Sequence, residues 1–245
     1  MNRPGFESWP DFLLMTVNTP QPCPLCSHST PGHFHRDSKR EYLHCPVCEL
    51  VFAHPDSHLS RDEEFKRYEF HQNDFEDLRY RKFLTKMSEP MFNRIAVNST
   101  GLDFGSGPGP LLKRMFEEQG HTMSHYDSFY TPEQEVFNEK YAFITATEVV
   151  EHLHKPLVEL DRLWSCLQPR GYLGIMTSLR LPDLDFATWH YIKDETHVIF
   201  FSPDTMTWLA THWGASLEII GDSVIILQKQ NDPVRKAGNR IPALK

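Results

Sequence analysis

Positive charge is in short supply in this chain. Across 245 residues, 25 Lys and Arg stand against 33 Asp and Glu, a formal net charge of -8. Phosphate binding rewards clustered cations, so this balance argues against a protein that grips nucleic acid through its overall field. Long apolar runs are missing as well. Phe12 to Val17 is too short for the hydrophobic segment of a signal peptide and no later stretch approaches a membrane span, so the chain reads as cytoplasmic. Glycine is scarce at 12, and cysteine scarcer at five. Clusters of either therefore carry information.

What is present suffices for one full α/β domain and a smaller module, with 40% hydrophobic and 12% aromatic residues. The four clustered cysteines are Cys23-Pro24-Leu25-Cys26 and Cys45-Pro46-Val47-Cys48. Each CxxC turn directs two thiolates at one point, and two such turns close a tetrahedron, the ligand set of a structural zinc ribbon or knuckle. A redox dithiol needs only one pair, and a disulfide scaffold suits a secreted chain. His28, His33, His35 and His44 lie nearby, but four thiolates already fill such a site. With no open position for water, the ion folds a module that lacks a core. Around it Arg3, Arg36, Lys39 and Arg40 face Glu7, Asp11, Asp37, Glu41, Glu49 and Asp56, the reverse of an RNA-gripping ribbon.

Ser60-Arg61-Asp62-Glu63 is a capping box opening a helical region toward Ile95, interrupted near His71 to Asp74. Phe65, Tyr68, Phe75, Leu78, Phe83, Leu84 and Met87 give two helices an apolar face, a packing surface that also stands ready as a lid over a neighbouring pocket.

The glycines cluster at Gly101-Leu102-Asp103-Phe104-Gly105-Ser106-Gly107-Pro108-Gly109. An apolar segment ending in an acid, then alternate glycines, then Leu111, Leu112, Met115 and Phe116 at helical spacing, reads as the first strand, tight turn and helix of a nucleotide-binding unit. Gly120 stops that helix, and a second strand from His121 to Tyr126 ends at Asp127, placed either to accept ribose hydroxyls or to cap the next turn. Pro110 occupies the position of the third dinucleotide-fingerprint glycine, which disfavours NAD.

Asp103, Gly105, Gly107 and Gly109 instead match the acid-x-G-x-G-x-G motif I of class I S-adenosylmethionine-dependent methyltransferases, and the chain resembles that family. A second match is Tyr141 to Leu153, whose Glu148-Val149-Val150-Glu151-His152 resembles the fourth-strand motif of the small-molecule, ubiquinone-biosynthesis-type branch. The resemblance covers residues 97 to about 228. It implies a Rossmann-like, mostly parallel sheet with a final antiparallel hairpin strand, S-adenosylmethionine as cofactor and S-adenosylhomocysteine as product. Asp103, Gly105, Gly107, Gly109, Asp127 and Glu148 are the implied cofactor residues. One departure stands out: between Asp127 and Glu148, where the family fits a helix and a third strand, Glu135 to Phe137 is the only remnant of that strand.

Downstream, Leu157, Leu160, Leu163, Trp164 and Leu167 form an amphipathic helix that Pro169-Arg170-Gly171 turns into a fifth strand, Tyr172 to Thr177. Asp194 to Ser202 resembles the family's stretch bordering the acceptor pocket. Ser202-Pro203 starts a helix ending at Gly214, and residues 216–220 and 223–228 flank Gly221-Asp222 as a hairpin.

The expected organisation is a zinc module (1–58), a helical lid (59–96), a methyltransferase domain (97–229) and a tail (230–245). The expected activity is methyl transfer to O or C of a small-molecule acceptor, with His152 and His197 as candidate bases. Two other readings remain open: an RNA methyltransferase that uses the zinc module as its grip, and a non-catalytic adaptor with a vestigial cofactor fold. The assembly state is not legible.

Overall fold

The computed structural model describes residues 21–69 and 77–231. The run Phe12 to Val17, the break near His71 to Asp74 and the tail from residue 232 onward lie outside the described residues.

The chain begins with β1 (Gly32–Arg36), β2 (Glu41–His44) and β3 (Val51–Ala53), followed by α1 (Arg61–Tyr68) and α2 (Leu78–Phe92). Alternation of strand and helix then sets in with β4 (Thr100–Phe104), α3 (Leu111–Glu118) and β5 (Thr122–Tyr126). After a 3-10 turn at Gln134–Asn138 come β6 (Tyr141–Thr147), α4 (Pro156–Cys166) and β7 (Leu167–Met176). The last elements are β8 (Ile199–Phe200), α5 (Pro203–Trp213), β9 (Ser216–Ile220) and β10 (Val224–Gln228).

The main sheet has the order β5-β4-β6-β7-β10-β9. Its first four strands run parallel, and β10 lies antiparallel between β7 and β9, the expected closing hairpin. Strand order reverses between β4 and β6, so the crevice beyond their carboxyl ends is where such a sheet takes ligands. The apolar stripe Leu111, Leu112, Met115 and Phe116 of α3 is wholly buried. Phe116 stacks on Phe143 with ring centroids 4.8 Å apart, a burial worth about 2–3 kcal/mol. Leu84, Met87 and Met91 of α2 complete that layer. On the other face, Leu160, Leu163 and Trp164 of α4 and Met206 and Leu209 of α5 pack against the sheet.

Two local readings need correction. The segment Glu135 to Phe137 forms no strand; it lies in the 3-10 turn Gln134–Asn138, and β5 is the edge of the sheet. Residues 128–140 are too few for a crossover helix plus a strand, since a parallel connection alone takes a dozen or more. The turn is nevertheless pinned: Tyr141 donates to the Val136 carbonyl at 2.8 Å, Phe137 meets Tyr126 edge-on at 4.8 Å, and the Arg162 guanidinium lies 3.7 Å from the Phe137 ring centre. The second correction concerns Pro169-Arg170-Gly171, which does not separate helix from strand. β7 begins directly at Leu167, absorbs a register shift opposite Tyr141/Phe143, and carries Arg170 at φ 65 within it.

The N-terminal module does not stand apart. Its antiparallel sheet continues β1-β2-β3-β8, with Val51 opposite Phe200 and Phe52 opposite Ile199. Cys23, Leu25, Cys45, Cys48, Leu50 and Phe52 share one buried cluster with Leu179, Val198, Ile199 and Phe201. Among the described residues, no helix is long and apolar enough to cross a membrane.

Candidate active site

At the carboxyl ends of β4 and β6 lies one cavity of about 800 Å³, within the range of pockets that hold small ligands. The glycine turn forms its first wall. Gly105 sits at φ 76 and Gly107 at φ 64, a region open to glycine and costly for other residues. A Cβ on Gly105 would also lie 2.3 Å from Cγ2 of Val149, so the turn and the loop after β6 pack at backbone distance. The N–H groups of Gly105 and Ser106 both donate to the Tyr126 carbonyl, at 2.8 and 3.1 Å, tying the tip of β4 to the tip of β5.

Asp127 lines this wall and caps it. One carboxylate oxygen accepts from Gly107 N–H at 2.9 Å; the other accepts from Phe129 and Tyr130 N–H at 2.9 and 3.2 Å. Turn capping and cavity lining therefore coexist in one side chain. Glu148 has φ 51, so the chain leaves β6 abruptly and the carboxyl faces the cavity. Desolvation and the neighbouring Glu151 push its pKa up to about 8.

Two of the expected cofactor residues are placed elsewhere. Asp103 does not line the cavity: it is buried on the sheet, where Thr145 donates to it at 2.9 Å and desolvation raises its pKa to about 7. Strand alternation places this side chain on the same face of the sheet as Thr145 of β6. Gly109 is buried and does not line the cavity, and its carbonyl accepts from Leu111 N–H at 2.7 Å. Gly105, Gly107 and Pro108 are the turn residues that reach the cavity.

The opposite wall is assembled from distant segments. His152 and His197, 45 positions apart in sequence, bring their rings to 4.7 Å. A backbone carbonyl lies beside Nδ1 of each: Thr196 O at 3.0 Å from His152 and Tyr191 O at 2.8 Å from His197. A carbonyl only accepts, which assigns the proton to Nδ1 and leaves Nε2 unprotonated in the neutral ring. Burial, reinforced by the adjacent His152 ring, lowers the pKa of His197. Glu151 behind them is fully buried, and its Oε1 accepts from the Tyr191 hydroxyl at 2.5 Å.

Two helices and the module hold these parts in place. Arg61, Glu64 and Tyr68 of α1 and Tyr80 and Phe83 of α2 line the cavity. The expected capping box at the start of α1 is present, with Glu63 accepting from the Ser60 N–H at 2.9 Å. From the module, the buried Arg40 donates to the carbonyls of Ile192 and His197, the latter at 2.9 Å. The cysteine module thereby fixes the backbone that carries His197. The four cysteines converge, with Cys23 and Cys48 sulfurs 3.5 Å apart and Cys26 and Cys45 sulfurs 3.4 Å apart. Zinc–thiolate bonds of about 2.3 Å place sulfurs about 3.8 Å apart in a tetrahedron, so the set fits that ion with little movement.

Sequence reasoning missed Glu151, Tyr191 and Arg40. Glu151 stood inside a quoted motif, but nothing in spacing says which way a loop carboxylate points. Arg40 carried no signal at all.

A family profile described as a methyltransferase domain matches residues 65–218, over half of the chain. The chain belongs to this methyltransferase family. Among solved structures, the methyltransferase is similar in fold to an S-adenosylmethionine-dependent methyltransferase from Archaeoglobus fulgidus, at 16% identity and a TM-score of 0.50, covering 69% of this chain and all of that one. A second similar structure is the Burkholderia thailandensis 1,6-didemethyltoxoflavin-N1-methyltransferase, which holds its substrate and S-adenosylhomocysteine. That match has 14% identity and a TM-score of 0.49, with coverage of 82% of this chain and all of that one. No curated protein sequence matches the methyltransferase.

Proposed function

We propose that the methyltransferase uses S-adenosylmethionine to methylate an oxygen or carbon of a small-molecule acceptor, and that its four cysteines hold a structural zinc ion. The observation that carries this reading is the continuity of one cavity from the glycine turn and Asp127 to the His152/His197 wall. Gly105 and Gly107 leave room for the cofactor's close approach, Asp127 offers its remaining lone pairs to the ribose, and Glu148 stands at the junction of the two halves. Methyl transfer breaks a carbon–sulfur bond as the acceptor's bond to the same carbon forms, and sulfur leaves with the electron pair as a neutral thioether. Orientation supplies most of such a rate, and enclosure by Tyr68, Tyr80 and Phe83 excludes water that would compete. An acceptor hydroxyl or acidic carbon also gives up a proton, for which the imidazoles of His152 and His197 are the candidate bases.

The small-molecule reading is supported by the aromatic lining of a cavity of about 800 Å³ and by the chain's net charge of -8, both poor features for an RNA surface. Thermal melting with S-adenosylhomocysteine tests the cofactor. A rise in Tm is expected, strongly reduced in Asp127→Ala; the absence of any shift in the wild-type chain would sink the proposal.

A further inference from the structure

Methyl transfer by orientation and a histidine base leaves the charge of the cavity unexplained. Besides Asp127, its lining carries the carboxyls of Glu64, Glu148, Glu151, Glu159 and Asp194, against the cations Arg61 and Lys155. Two of these carboxyls are answered within the protein, Glu64 by His154 at 2.8 Å and Glu159 by Arg162. The lining cations are placed elsewhere: Arg61 donates to the Ser128 carbonyl at 3.0 Å and lies 5.1 Å from the Phe129 ring centre, and Lys155 is exposed at the start of α4. Lys86 acts on Glu148, but its Nζ lies over the Phe83 ring at 5.4 Å. Glu151 is wholly buried, its Oε1 engaged by Tyr191 and its Oε2 without a hydrogen-bond partner among the described residues. A buried carboxyl with an unfilled oxygen is costly unless opposite charge completes it. Asp194 is also incomplete. The N–H and hydroxyl of Thr196 hold its Oδ1 at 2.9 and 2.7 Å, while Oδ2 stands 4.0 Å from Nε2 of His197 on a side chain that is 33% exposed. Burial works against its ionisation, yet the Thr196 bonds hold its pKa below the usual carboxylate range. Burial also lowers the pKa of His197, so that imidazole does not supply the missing cation.

We propose that this half of the cavity takes an organic cation: the acceptor carries an ammonium group, held by Asp194 and Glu148 against the faces of Tyr68 and Tyr80, apart from the oxygen or carbon that receives the methyl group. Glu151 adds its charge from within the wall. The aromatic residues fit the same ligand, because an aromatic face attracts a cation and Tyr68, Tyr80 and Phe83 all line the cavity. Acid and aromatic share one space: burial, with Glu64, Glu151 and Asp194, raises the pKa of Tyr68. An ammonium group brings what the side chains lack, N–H donors for the open carboxylate oxygens and a positive charge for the rings. Desolvation and the charge of Glu151 raise the pKa of Glu148, and a cation beside it offsets both effects. A ligand carboxylate or phosphate in that place meets repulsion instead. That the cation is the methyl acceptor rests on the methyl-transfer reading; the binding of an ammonium group does not.

Calorimetric titration of the full-length chain with tyramine, tyrosol and para-hydroxyphenylacetate, with and without S-adenosylhomocysteine, varies the charge on one skeleton. Tyramine is expected to bind more than about tenfold tighter than tyrosol, and the acid most weakly. Asp194→Asn should remove most of the preference for the amine while keeping the S-adenosylhomocysteine melt shift, which also verifies its fold. The wild-type series decides the matter without the variant. No binding of tyramine, equal binding of amine and alcohol, tighter binding of the acid, or an undiminished preference in folded Asp194→Asn would overturn the proposal. So would an Asp194-dependent preference for S-adenosylmethionine over its thioether product with no preference for the amine, which would assign these carboxyls to the sulfonium. The cofactor reading fails separately: an amine preference in a chain that shows no S-adenosylhomocysteine melt shift leaves the cation site standing and removes the methyl-transfer reading.

Discussion

The two walls of the cavity are built in opposite ways. The proposed cofactor wall comes from one stretch, residues 104–149, in which strand, turn and strand are tied by backbone bonds within the turn and between adjacent parallel strands. The proposed acceptor wall gathers α1, α2, the loop after β6 and the segment 190–197, and that last segment is held by Arg40 from the cysteine module. A wall of the first kind is set by backbone conformation. A wall of the second kind is set by tertiary packing, and is correspondingly free to vary with the acceptor.

Cutting the module's support should separate the walls most strongly. With zinc held as proposed, Cys45→Ser leaves three thiolates and weakens a binding free energy on the order of 10 kcal/mol, so the chain is expected to lose its cooperative melt or melt far lower. A wild-type-like melt would show that the cysteine set is not structural. At the cofactor wall, Gly105→Ala places a methyl against Val149 and a non-glycine residue at φ 76, together costing about 4 kcal/mol. It should abolish the S-adenosylhomocysteine melt shift, and retention of that shift would disconnect the turn from the cofactor. Arg40→Ala strands the carbonyls of Ile192 and His197, at about 3 kcal/mol. Its signature is a change in acceptor kinetics with S-adenosylhomocysteine affinity preserved; equal damage to both would erase the distinction between walls.

The smallest effect concerns pH. Burial raises the folded-state pKa of Asp103 to about 7, above the roughly 3.9 of an unfolded aspartate. The folded state therefore holds this proton more tightly, and the group costs progressively more stability as pH rises from about 4 to 7, after which the cost is constant. Between pH 5 and 8 the loss is at most about 3 kcal/mol. Asp103→Asn should flatten that decline in denaturant titrations across this range, and an unchanged slope would show that Asp103 is not the group responsible.

How much was legible follows the same division. β4 and the buried stripe of α3 were readable from an apolar run and a helical spacing, and the closing hairpin from Gly221, because each is encoded by neighbours in sequence. The burial of Asp103 against Thr145 was not legible, because motif spacing does not show which face of a strand a side chain occupies. The 3-10 turn at Gln134–Asn138 was visible only as a shortage of residues. The pairing of β3 with β8 was invisible, since a three-residue and a two-residue strand leave no periodic trace and nothing local announces a partner so far along the chain.

That pairing also bears on how such a protein is taken apart at the bench. A truncation beginning at residue 97 looks natural, because it keeps the whole parallel sheet and both glycine-motif strands. It would strip β3 from Ile199 and Phe200 and uncover Val198, Phe201 and Leu179, all now buried. The resulting fragment would expose an unsatisfied strand and an apolar patch, the usual route to aggregation. The cysteine module is better treated as part of the enzyme's foundation than as an appendage that can be exchanged.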